Sequence, residues 1–143
     1  MIECKYAKST LNAVATDGVE VVANGYIPFA TNAILTGASV GHVAGSNSVS
    51  LNKAGLYQVD VSASIETTAA ETVVLSLVNN SAEVPGASNV VDTAAATSVP
   101  INITTIVQVN PSCCAINNTA NLQVQVSEGV VVNSANIRVV KLA

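Results

Sequence analysis

Charge is scarce in this chain. Five basic and nine acidic residues in 143 make up 10% of the sequence, against roughly a quarter in an ordinary globular domain. So few charges leave two explanations: a neutral surface of Ser, Thr and Asn, or a surface buried against other copies, as in obligate homo-oligomers. The second is the expectation here. The net charge is −4, and the only cations, Lys5, Lys8, Lys53, Arg138 and Lys141, form no cluster. Phosphate neutralisation needs several closely placed Lys or Arg side chains, so the charge pattern argues against nucleic-acid binding.

Aromatic residues are scarcer still, at 3% with no Trp. Tyr6, Tyr26, Tyr57 and Phe29 offer little for stacking on bases or on sugars. No run approaches the ~18 consecutive apolar residues that span a bilayer, despite a mean hydropathy of +0.50, so no membrane partner is expected. The opening Met1-Ile2-Glu3-Cys4-Lys5-Tyr6-Ala7-Lys8 places charges where the apolar core of a signal peptide belongs, and the product is expected to stay in the cytoplasm that makes it.

Three cysteines cannot close a disulfide framework among themselves. Cys113 and Cys114 are adjacent, point to opposite faces in a strand, and would not readily bridge. Free thiols acting as small apolar residues are the expectation, with Cys4 a candidate for an intersubunit bridge. Zinc needs clustered Cys and His, and calcium needs closely spaced acidic oxygens; the sequence supplies neither, so no metal and no cofactor is expected. His42, the single histidine, lacks any nucleophile-elbow or cysteine-protease context and reads as an ordinary loop or strand residue. Walker and dinucleotide glycine patterns are absent. The sequons at Asn79, Asn102 and Asn117 are read as chance matches. These readings make the protein a non-enzyme.

What is abundant is valine, 25 residues of it, whose branched Cβ suits a pleated sheet. The clearest segment is Asn52 to Ile65. Tyr57, Val59, Val61, Ala63 and Ile65 fall on one face and Gln58, Asp60, Ser62 and Ser64 on the other, the period of a half-buried strand. Tyr57 and Val59, led by Gly55, are therefore assigned to the core.

Further strands are expected over Val19 to Ala23, Ala33 to Gly37, Val49 to Asn52, Thr72 to Val78, Ile101 to Val109, Leu122 to Val126 and Ala135 to Leu142. Asp17-Gly18 and Asn24-Gly25 read as hairpin-type turns, and Asn79-Asn80-Ser81 and Pro85-Gly86 as further turns. The Ala-rich Thr93 to Ala96 is too short to stand alone as a helix. About eight to ten strands in a single all-β domain of this length indicate a jelly-roll β-sandwich. Residues 1–18 alternate poorly and are read as an N-terminal arm, with 19–143 as the jelly roll. The arm either packs on a neighbouring subunit, the preferred account, or forms an edge strand of its own domain.

The order of these motifs resembles the trimeric jelly-roll superfamily of complement and tumour-necrosis-factor globular domains, nearest its bacterial and phage branch. The matching pieces are Tyr26-Ile27-Pro28-Phe29, the run from Val49 to Val59 with its Gly55 and Tyr57, Leu75 to Asn80, and the closing Ala135 to Leu142. Together they span roughly residues 19 to 143. In phage members a Cys-Cys pair followed by an Asn-Thr segment and a closing Ala-Asn strand is familiar, and Ser112 to Thr119 with Ser134 to Ile137 is similar to it. No Gly-X-Y stalk is present, which leaves a spore-filament role unsupported, and the low aromatic content departs from the signalling members.

The resemblance implies a homotrimer and a virion protein, a capsid decoration or head fibre assembled in the host cytoplasm. Its partner would be the phage major capsid protein or another virion protein, and Glu3, Lys5, Tyr6 and Lys8 of the arm would be the docking residues. The alternative is a receptor- or glycan-binding adhesin head of a phage fibre or cell surface.

Overall fold

The run that alternates most cleanly forms the centre of the molecule. In the computed structural model, which describes residues 9–110 and 120–143, Gly55–Glu66 is a twelve-residue strand. Tyr57, Val59, Val61, Ala63 and Ile65 point inward, all buried. In chain order the strands are β1 (Thr10–Val21), β2 (Thr31–Thr36), β3 (Val40–Gly41), β4 (Val49–Leu51), β5 (Gly55–Glu66), β6 (Thr72–Asn79), β7 (Ala82–Asp92), β8 (Val99–Val109), β9 (Ala120–Val126) and β10 (Val130–Lys141). Among the described residues no segment is helical, and no helix is long and apolar enough to cross a membrane.

The strands form two five-stranded antiparallel sheets, ordered β2-β1-β10-β5-β8 and β3-β4-β9-β6-β7. The inner faces meet in one core of small branched side chains, with Ile137 and Val139 from β10, Ile101 and Ile103 from β8, and Leu75, Leu77, Leu122 and Val124 from the second sheet. Among the described residues, Phe29 and Tyr57 are the only aromatic rings in it. With so little aromatic mass, closure depends on many Val, Leu and Ile contacts rather than on a few large anchors.

Three sequence expectations change. Residues 10–18, expected in the arm, lie in a strand of the first sheet, β1. It lies between β2 and β10 and buries Leu11, Ala13 and Ala15. Asp17-Gly18 is not a hairpin turn. The register passes from Thr16 opposite Ser134 to Val19 opposite Val132, so two residues oppose one, and Gly18 sits at φ +67°. This is a β-bulge led by a left-handed glycine, and it leaves the same mark in sequence as a tight turn. Pro85-Gly86 likewise lies inside β7, in an irregularity between Ser88 opposite Ser76 and Glu83 opposite Val78, with Gly86 at φ +77°.

The Asn79-Asn80-Ser81 turn is found as expected. Asn79 pairs with Ala82, and Asn80 and Ser81 adopt φ of 51° and 70°, the two positive values of a type I′ hairpin.

Candidate functional surface

Register decides which side chains share a surface, and on the outer face of the first sheet it aligns successive rows across the strands. Thr36, Thr10, Val140, Gln58 and Ile106 form one row; Ile34, Asn12, Arg138, Asp60 and Thr104 form the next. Two shorter rows follow: Val14, Asn136, Ser62 and Asn102, then Thr16, Ser134, Ser64 and Pro100. These last two have only Asn136 and the small hydroxyl residues Ser62, Ser134 and Ser64 at their centre, and the surface sinks there into a groove of about 360 Å³. The polar face of β5 thus becomes one wall of a shared depression.

The face is held sideways by neutral groups. Asn136 donates from Nδ2 to the Asn12 amide oxygen. The Ser64 and Ser98 hydroxyls lie 2.6 Å apart, and Asn133 donates to Ser98 at 3.2 Å. At opposite margins stand Ile34, 48% exposed, and Ile106, 59% exposed. The four rows are thus nearly free of charge, with a polar centre and apolar residues at both margins.

Gly55, Tyr57 and Val59 are structural. Gly55 has φ +149°, and a Cβ there would stand 2.2 Å from the Ala143 oxygen and 2.8 Å from Lys141 Cε. The Leu56 N–H donates to that same oxygen at 3.2 Å, and the Leu142 N–H donates to the Leu56 carbonyl at 2.7 Å. Glycine is required where β5 begins because the last residues cross it there. Tyr57 is fully buried, and its hydroxyl donates to the Lys53 carbonyl at 2.6 Å. Burial pushes its phenol above the usual 10.0, opposed by hydrogen bonds with Ser39 and Lys53.

His42 is a strut. Its Nδ1 is held against the Asn32 amide oxygen, its Nε2 lies 2.9 Å from the Ser46 carbonyl, and its own carbonyl accepts from Asn32 Nδ2 at 2.8 Å. The ring stands edge-on to Phe29, with centroids 6.4 Å apart. Both nitrogens are occupied within the fold. Tyr26 bridges to Gln125 beside β9 and is half-buried. Among the described residues no group of three or more His, Cys, Asp or Glu converges to hold a metal. Glu3, Lys5, Tyr6 and Lys8, together with Cys4, Cys113 and Cys114, lie outside the described residues.

Sequence reasoning singled out Gln58, Asp60, Ser62 and Ser64 but not what faces them. The alternation of Asn136-Ile137-Arg138 is the one signal that could have placed Arg138 outward; its position opposite Asp60 required the register.

No family model and no curated protein matches the sequence. Solved structures do match in fold. The globular domain of zebrafish complement 1qA protein superposes with a TM-score of 0.69 at 9% identity, covering 94% of this chain and 96% of that one. Murine APRIL, crystallised at pH 5.0, gives 0.66 at 10% identity, covering 94% and 99%. The vertex protein P5 of phage PRD1 gives 0.58 at 15% identity, covering 94% and 97%. The chain has the complement- and tumour-necrosis-factor-like jelly-roll fold over nearly its whole length.

Proposed function

We propose that this protein is a non-enzymatic structural component of a phage particle, a homotrimer that decorates the capsid or forms a head fibre. The observation that carries the reading is the outer face of the first sheet, whose four aligned rows hold only one positive and one negative residue, and which is grooved and rimmed by Ile34 and Ile106. Likeness in fold to a phage vertex protein supports the virion setting.

A closed ring of copies needs a heterologous contact, in which one patch of each subunit meets a different patch of the next. The grooved rows and the Ile34 and Ile106 margins provide different patches on one face. Covering them removes from water the apolar surface that the scarce charge leaves bare. Threefold symmetry also suits the local threefold positions of an icosahedral shell, where a trimer can clamp neighbouring capsomers.

Glu3, Lys5, Tyr6 and Lys8 are proposed as the shell-docking residues. Ser9, which follows them, is anchored to the fold, with its hydroxyl accepting from the Ser39 N–H at 2.9 Å and its carbonyl accepting from the Lys141 N–H at 3.1 Å. Electron microscopy of particles made with and without the gene tests the function. The expected result is trimeric density on the shell that disappears with the gene; identical particles contradict it. A variant with Glu3, Lys5, Tyr6 and Lys8 all changed to Ala is expected to keep its mass in solution and lose its place on the particle.

A further inference from the structure

Arg138 and Asp60 are the only charged residues in the four rows, and they stand directly opposite one another on β10 and β5. Directly opposed residues on antiparallel strands have Cβ atoms about 5 Å apart, well within ion-pairing reach. Yet among the described residues neither side chain makes a hydrogen bond or ion pair within the chain. Their neutral neighbours Asn12, Asn136, Ser64 and Asn133 are tied to partners. Asp60 is moreover half-buried, and Arg138 reaches outward.

We infer that the two residues pair between copies: the Arg138 guanidinium of one chain meets the Asp60 carboxylate of the next, forming a ring of alternating charge about the threefold axis. This rests on the trimer reading above. A second copy is the occupant that fits, because one positive and one negative group side by side attract neither a polyanion nor a polycation. They are complementary to the same pair displaced by about one strand spacing. In four rows otherwise free of charge, such a pair fixes register and excludes misaligned contacts, the role interfacial charges perform best. Arg suits the position, since its planar fork can hold a carboxylate through two N–H donors.

The test uses Asp60→Arg and Arg138→Asp, each purified alone and then mixed, with mass followed by sedimentation velocity and folding by circular dichroism. Each variant alone sets like charges against each other at every interface and is expected to associate at least tenfold more weakly than wild type. In a mixed trimer two of the three interfaces again join opposite signs, so mixing is expected to recover association. An attraction confined within one chain could not produce that recovery.

A trimeric wild type whose reversed variants associate unchanged, or whose mixture gains nothing, overturns the pairing while leaving the trimer intact; a monomeric wild type overturns the trimer itself. If a reversal fails to fold, Asp60→Asn and Arg138→Gln take its place. These should weaken association several-fold and flatten its dependence on salt. An unchanged salt dependence overturns the pairing.

Discussion

Gly55 shows how one missing methyl group fixes the path of the chain. Its φ of +149° and the 2.2 Å clearance to the Ala143 oxygen leave no room for a side chain. Gly55→Ala is therefore expected to cost about 1–3 kcal/mol, seen as a lower midpoint in denaturant with the sheet content retained. At Tyr57 the hydroxyl is the informative atom. Tyr57→Phe removes its bond to the Lys53 carbonyl and should cost about 1 kcal/mol.

The pH dependence of the same residue follows from linkage. Because burial raises the phenol above 10.0, the folded state holds its proton when the unfolded chain has released it. The corresponding stability is fully present below pH 10 and is lost as pH rises from there through the folded value. Denaturant titrations at pH 9 and pH 11 should show a larger alkaline loss in wild type than in Tyr57→Phe. Equal losses would show that Tyr57 does not titrate differently in the two states.

Elements that alternate without interruption were legible from sequence, and β5, β8 and β9 lie where period two places them. The inward and outward sets of β5 are those that the alternation assigns. β1 was not legible, because the bulge at Gly18 interrupts its alternation and imitates a turn. The glycine of β7 misleads in the same way, since a left-handed glycine serves bulges and hairpins alike. The candidate surface was half legible. One strand announced its own polar side, but the groove needs β1, β10, β5 and β8 in register, and long-range pairing leaves no trace in local periodicity.

The hairpin between β6 and β7 carries an element-scale prediction. Ser81 holds φ 70°, a conformation that costs a residue with a Cβ about 1–2 kcal/mol. Ser81→Gly releases that strain, and the added freedom of the unfolded chain returns part of it. The net effect is expected to be a stabilisation of about 0.5 kcal/mol, read as a higher melting temperature.

At the scale of the molecule, the sparse charge and the grooved sheet face describe the same property. A sandwich rich in Val, Ala, Ser, Thr and Asn fills its core with only two rings among the described residues, Phe29 and Tyr57. It then presents a sheet face sparse in charge that another copy can cover. Self-association by a heterologous contact would turn that face from a liability in water into the seam of a closed ring. The most direct test is the mass of the wild-type protein in solution, by sedimentation equilibrium at micromolar concentration. The expected result is three times the chain mass of 14.4 kDa, with no monomer; a single species at 14.4 kDa would contradict the account.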